Sequence, residues 1–278
     1  MSSLPLPSPL TCHSPPFMFD VENVTYQTGR KTLLQQVSFR ARPGELLAVV
    51  GANGAGKSTL LRLLSGDLTP THGTVHFDGQ PLAECPAPAL AKRRAVLTQQ
   101  HTLSLAFPVA ELVMMGRYPH FQGQPSAHDH WIVEAALSTV GLSALAARSY
   151  PTLSGGEQQR AQLARVLAQV WEAQQGFLLL DEPLTGLDLH HQHHTLDIAR
   201  DLVLRGFGVI AVLHDLNLAA QYADRILLLA QGQPVAYGAP AQVLTCENIH
   251  RGFQIDVQLL PHPHLSCPLI VPCPRRAV

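Results

Sequence analysis

Gly51, Ala52, Asn53, Gly54, Ala55, Gly56, Lys57, Ser58 and Thr59 have the types and the order that cradle a phosphate chain. Glycine accepts positive φ without a Cβ clash. The three glycines therefore let the backbone curl and aim successive N–H groups at an anion, where a helix begins. Lys57 adds a point charge for the β- and γ-phosphates, and the Ser58 hydroxyl is placed to ligate Mg2+. The flanks agree, with the apolar run Leu46-Leu47-Ala48-Val49-Val50 before the loop and the helical pattern Leu60-Leu61-Arg62-Leu63-Leu64 after it. This is a strand, loop and helix suited to a nucleoside triphosphate.

A second chemical group stands at Asp181 and Glu182, two carboxylates that end the apolar run Phe177-Leu178-Leu179-Leu180. Open α/β sheets expose their ligand crevice at that end of a strand. With the phosphate loop upstream, Asp181 reads as the outer ligand of the Mg2+ begun by Ser58, and Glu182 as the base for an attacking water. A third group, Leu153, Ser154, Gly155, Gly156 and Glu157, opens a helix with Leu163, Val166, Leu167 and Val170 along one side. It reads both as a second anion site and as a capping box of Ser154 with Glu157. The two are compatible because capping leaves other N–H groups of the first turn free.

The elements that must position these groups follow from periodicity. Alternation through 19–26 and 37–41, with a Pro43-Gly44 turn, predicts an antiparallel β element leading into the phosphate-loop strand, and Asp78-Gly79 closes another short strand. From about Ala110 to Trp171 the pattern is helical, which predicts an inserted helical segment. The short apolar runs 177–180 and 209–213 predict strands buried on both faces of a parallel sheet, and 226–229 reads as the final strand. The order implies an α/β core. Prolines concentrate in residues 1–16 and 261–278, which read as loose tails.

The formal charge of −1 over 278 residues leaves no basic footprint for nucleic acid. No apolar stretch reaches the roughly 18–20 residues that cross a bilayer, and residues 1–19 lack the form of a signal peptide, so a cytoplasmic location is expected. Five cysteines with no C-x-x-C spacing fit reduced thiols.

Taken together, the motifs resemble the ATP-binding cassette ATPase, the nucleotide-hydrolysing subunit of an ABC transporter; the match covers about residues 17–245, with residues 153–157 matching the family signature in full. The resemblance implies a P-loop NTPase (RecA-like) α/β core with an antiparallel β subdomain and an inserted α-helical subdomain. It divides the chain into a tail at 1–16, an ATPase domain at 17–260 with its helical part at about 103–172, and a Pro-rich tail at 261–278. It also implies roles for further residues: Tyr26 stacking on adenine, with packing in the core as the other reading; Gln99, or the adjacent Gln100, sensing Mg2+ and the attacking water; Asp188 as a dimer contact; and His214 on the γ-phosphate. Two cassettes would pair head to tail, each ATP lying between one P-loop and the other copy's signature.

The run Gly116-Arg117-Tyr118-Pro119-His120 resembles importer ATPases for iron-siderophores, cobalamin and haem, the haem branch most of all. That implies two membrane permease subunits, a periplasmic substrate-binding protein and a peripheral place on the cytoplasmic face of the inner membrane. Met114, Met115 and Tyr118 read as a face packed on the core or the partner subunit. His190, His191, His193 and His194 read as a solvated helix face rather than a metal site, and His262, His264, Cys267 and Cys273 as part of a mobile segment. A soluble ABC-type ATPase is disfavoured because no long coiled-coil insertion or second cassette is present, and a GTPase because no Asn-Lys-x-Asp occurs.

Overall fold

The computed structural model describes residues 18–98 and 106–273. The expected N-terminal tail at 1–16, Gln99 and Gln100 lie outside the described residues. The chain begins with a hairpin, β1 (Phe19–Thr28) and β2 (Lys31–Ala41), followed by β3 (Leu46–Val50) and, past the glycine-rich loop, α1 (Lys57–Leu64). Next come β4 (His72–Phe77), β5 (Gln80–Pro81), α2 (Ala87–Arg93) and β6 (Arg94–Leu97). The helices α3 (Val109–Met114), α4 (Ala127–Thr139) and α5 (Gly155–Val170) form the insertion, and β7 (Phe177–Leu180), α6 (Leu189–Leu204), β8 (Gly208–Val212), α7 (Leu216–Tyr222) and β9 (Arg225–Ala230) return to the sheet. The C-terminal part adds β10 (Gln233–Gly238), α8 (Pro240–Val243), α9 (Cys246–Phe253), β11 (Val257–Pro261) and β12 (Pro268–Pro272).

The central sheet runs in the order β10-β9-β3-β8-β7-β6, parallel except for β10, and a second sheet β2-β1-β4-β5 is antiparallel. Alternate residues of the apolar runs go to opposite faces. Leu46, Ala48 and Val50 of β3 join one core with Leu178 and Leu180, while Leu47 and Val49 join the other with Phe177 and Leu179. The runs have no polar side because both faces are covered. Phe19, Phe77 and Phe177 lock the two sheets together, with ring centroids 4.8 and 4.9 Å apart at the two contacts of Phe19. Burying each such ring contributes about 1.5–3 kcal/mol.

Two expectations change. The strand at 226–229 is not the last, because Gln231 at φ 49° and Gly232 at φ 79° turn the chain into β10, which closes the sheet edge antiparallel to β9. Nor is the segment from 261 loose through Pro272: β11 and β12 pair in register from Val257 with Pro272 to Pro261 with Pro268. Proline lacks the N–H of a ladder, and here Pro261, Pro268 and Pro272 sit at strand ends, where that loss is tolerated. Composition suggested a tail, but Val257 and Ile270 are buried in the main core. Among the described residues, no helix is long and apolar enough to cross a membrane.

Candidate nucleotide site

The loop after β3 turns through Gly51, Gly54 and Gly56 at φ 152°, 79° and 100°. Space as well as φ demands glycine: a Cβ on Gly51 would stand 2.3 Å from the carbonyl oxygen of Leu229, and one on Gly56 2.8 Å from that of Leu33. Gly56 is the N-cap of α1 and brings no side-chain cap, so the first-turn N–H groups have no capping side chain competing for them. Lys57 folds back across the loop, its Nζ donating to the carbonyls of Gly51 at 2.8 Å and Ala52 at 3.0 Å. Burial holds this ammonium below the usual lysine range, against the opposing pull of Glu182 and Asp181. Ala55 is buried beneath the loop, while Ala52, Asn53 and Gly54 are exposed along it.

The ends of β7 and β8 bring the other groups to the same place. Asp181 donates its N–H to Leu97 at 2.8 Å, which fixes it at the strand end, and its Oδ1 accepts from the Ser58 hydroxyl at 3.2 Å. Burial pushes the Asp181 carboxyl above its ordinary range, with the Ser58 hydrogen bond opposing. Glu182 takes φ 51°, a left-handed conformation uncommon for a residue with a side chain. Its Oε1 lies 2.8 Å from Nε2 of His214, the residue after Leu213 at the end of β8. Lys57, Ser58, Thr59, Glu182 and His214 line one cavity of about 640 Å³. Lys31 and Leu33 of β2 complete its wall. Sequence reasoning missed both, since only the fold of the β1–β2 hairpin over the loop brings them there. Tyr26 sits half-buried on β1 opposite Leu34, packed against the core, and is not among the residues lining the cavity.

At the start of α5 the capping box is present: Ser154 Oγ accepts from the Glu157 N–H at 3.3 Å, and Glu157 Oε2 accepts from the Ser154 N–H at 2.7 Å. Those hydrogen bonds hold the Glu157 carboxyl below its usual range. Leu153 is buried beneath the helix start, whereas Ser154 and Gly155 are exposed. None of residues 153–157 lines the Lys57 cavity. The helix nevertheless abuts the loop after β7: a Cβ on Gly156 would stand 3.1 Å from the Gly186 carbonyl oxygen, and Gln159 Nε2 approaches the Glu182 carbonyl at 3.4 Å.

The family described as ABC transporter matches residues 34–185. The chain belongs to the ABC transporter family. The cassette is 52% identical over 258 residues to the hemin import ATP-binding protein HmuV of Gloeobacter violaceus, covering 92% of this chain and 94% of that one. It is 49% identical to the protein of the same name from Pseudomonas aeruginosa, with 91% and 99% covered. Among solved structures it matches an inward-facing ABC transporter described as metal-chelate type, with TM-score 0.78, 29% identity and coverage of 93% and 98%. It also matches a dimeric ATP-binding cassette in a post-hydrolysis state bound to ADP and Pi, with TM-score 0.70, 25% identity and coverage of 80% and 98%.

Other singled-out residues of the cassette have local duties. Asp188 caps α6, its Oδ1 accepting from the His191 N–H and standing 2.8 Å from His191 Nδ1, while its carboxylate stays exposed. His193 meets Tyr222 Oη at 2.8 Å and His194 meets the Thr139 carbonyl at 2.9 Å. No cluster of three or more metal-ligating side chains occurs among the described residues.

The Gly116-to-His120 run is a packing device. A Cβ on Gly116 would lie 2.1 Å from the Arg165 carbonyl oxygen, so the chain crosses α5 there in direct backbone contact. Arg117 is 1% exposed; it binds Asp129 at 3.0 Å, the Ala168 carbonyl at 2.9 Å and Glu172. His120 Nε2 reaches the Gln169 carbonyl at 2.7 Å. Of the pair Met114 and Met115, both pack partly buried on the core as expected, while Tyr118 is 61% exposed.

Proposed function

We propose that this cassette is the ATP-hydrolysing subunit of a bacterial importer that takes up haem. One observation carries the catalytic part: Glu182 and His214 meet at 2.8 Å in the cavity that Lys57 and Ser58 also line. The N–H groups of residues 51–59 and Lys57 hold the β- and γ-phosphates, Glu182 takes the proton of the attacking water, and His214 hydrogen-bonds the γ-phosphate. Tyr26, half-buried on β1 opposite Leu34 and outside the lining of that cavity, is the residue that would offer its ring to adenine. Ser58, Gln99 and Asp181, the last through water, are the residues that would hold Mg2+. The described part of this set suits a hard cation, because the Ser58 hydroxyl and the Asp181 carboxyl are two oxygen donors 3.2 Å apart. When bound, such an ion neutralises charge developing on the β- and γ-oxygens.

The exposed start of α5 supports pairing with a second copy. Ser154, Gly155 and Gly156, with Leu153 beneath and Glu157 capping, would close over the phosphates held by the partner's Lys57, and Asp188 would touch the partner. The homodimer then works beneath two permease subunits at the cytoplasmic face of the inner membrane, a periplasmic binding protein delivering the cargo. Haem as cargo is supported by the names of relatives that match along nearly their whole length. A ferric siderophore or cobalamin is the second reading, favoured by the metal-chelate type of the structural neighbour. The test is ATPase activity of the reconstituted transporter. Stimulation by haem with its binding protein is expected; stimulation by a corrinoid or ferric siderophore and not by haem overturns the cargo.

A further inference from the structure

The helix α7 begins two residues after His214, and the hairpin β11–β12 lies against it. Asn217, in the first turn of α7, spends both ends of its amide on one residue of that hairpin. Its Nδ2 donates to the Ile270 carbonyl at 3.2 Å, and its Oδ1 accepts from the Ile270 N–H at 2.8 Å. The side chain thus pairs with β12 as a neighbouring strand would, satisfying both backbone groups of a residue that is 5% exposed. The far side of the hairpin is tied down as well, Cys246 of α9 contacting the Val257 carbonyl at 3.4 Å, and the Cys273 N–H closes the hairpin's own open end by donating to the Asp256 carbonyl at 2.8 Å. Val257 and Ile270 belong to the main core, so the hairpin is a fixed strap running from α9 to α7.

The strap meets the catalytic segment through three neighbours in sequence. His214 faces Glu182. Asp215 caps α7, its Oδ1 accepting from the N–H groups of Asn217 at 2.7 Å and Leu218 at 3.1 Å. Asn217 is then clamped to Ile270. A helix of seven residues has too few internal hydrogen bonds to hold its own first turn, so cap and clamp together set where it starts. His214 follows Leu213, whose N–H donates to the Val49 carbonyl at 3.1 Å, and 45% of the imidazole side chain is exposed. We propose that Asn217 is a positioning residue and the C-terminal hairpin its anchor, together fixing the start of α7 and through it the height of the His214 imidazole against Glu182 and the γ-phosphate. This rests on the proposed role of His214.

Steady-state ATPase measurements on the full chain test it, with the Asn217→Ala, Asn217→Asp, His214→Ala and double Asn217→Ala/His214→Ala variants followed for hours so that residual rates are readable. Asn217→Ala should lower kcat about tenfold, the worth of one to two hydrogen bonds spent on orientation, with KM for ATP within about twofold. Asn217→Asp keeps the acceptor for the Ile270 N–H and should recover part of kcat. In the His214→Ala background the Asn217 change should cost nothing further, because its effect passes through the missing imidazole. A loss that enlarges KM instead of lowering kcat, or that recurs in full without His214, overturns the inference, as does unchanged kcat in Asn217→Ala. If His214→Ala itself hydrolyses at the normal rate, the role of His214 fails and the inference with it; if only His214→Ala is impaired, the strap alone is refuted.

Discussion

At α1 the chain enters its helix through Gly56, at φ 100° and with no side-chain cap; at α5 it enters through Ser154, whose hydroxyl and backbone are closed in a box with Glu157. The first start is walled by Lys57, Glu182 and His214 of the same chain, while the second presents Ser154 and Gly155 to solvent. Both are helix starts able to attract phosphate. They differ in what satisfies them alone: α5 completes part of its own hydrogen bonding and is stable facing water, whereas α1 leaves its amides for a ligand. The proposed pairing of two copies needs both, a receiver walled by Lys57, Glu182 and His214 in one chain and a self-sufficient helix start exposed on the other.

The contrast can be broken most severely at the receiver's chemistry. Glu182→Gln keeps shape and removes the base, so ATP should still bind while phosphate release falls by about 10²–10⁴-fold; near-normal release would remove Glu182 from that role. On the donor side, a Cβ at Gly155 meets nothing within 4 Å, so Gly155→Asp should fold normally. Its carboxylate would face the partner's phosphates, and turnover should fall by about 100-fold, since like charges brought together cost several kcal/mol, while ATP binding to the separate subunit is unchanged. If equilibrium binding to the monomer weakens instead, α5 acts in its own chain and the comparison fails. Lys57→Ala should do the opposite, weakening nucleotide binding by roughly 10–100-fold through loss of a charge-assisted hydrogen bond. Titration with a fluorescent ATP analogue separates the two.

Smaller effects test the frame that carries the donor. Arg117→Met leaves Asp129 buried without its cation and should cost about 3–5 kcal/mol in thermal or denaturant unfolding, with ATP affinity intact in the folded fraction. Burial would raise the Asp129 carboxyl, but its Ser126 and Arg117 hydrogen bonds overcome this and hold it at about 2, against 3.8 when free. A depressed folded value means that the stability is present above 3.8 and drains away as pH falls toward 2. The melting temperature should therefore decline over that interval less steeply in Asp129→Asn than in the unaltered protein.

The phosphate loop, Asp181 with Glu182, and the Ser154–Glu157 box were legible because each is a contiguous run whose chemistry and conformation are local. The parallel strands were legible for a similar reason, their unbroken apolar runs requiring cover on both faces. The role of His214 came from family resemblance, and the structure sets it 2.8 Å from Glu182. Composition misled at the C-terminus, where prolines hid a hairpin whose strands are short enough to place them at the ends. The Gly116-to-His120 run was read for cargo, yet its glycine answers to the backbone of α5 and its arginine to two carboxylates.

The sequence by itself determined that this chain carries a phosphate-loop motif at residues 51–59, a strand-end carboxylate pair at Asp181 and Glu182, and a second helix start at Ser154. Only the tertiary structure decided that Lys31 and Leu33 wall the cavity, that Tyr26 stands back from it, and that Asn217 clasps Ile270 53 positions away. The reason is physical: a short motif encodes its own backbone path and charges, but which distant residue it meets depends on strand register and packing, which no local run of residues contains.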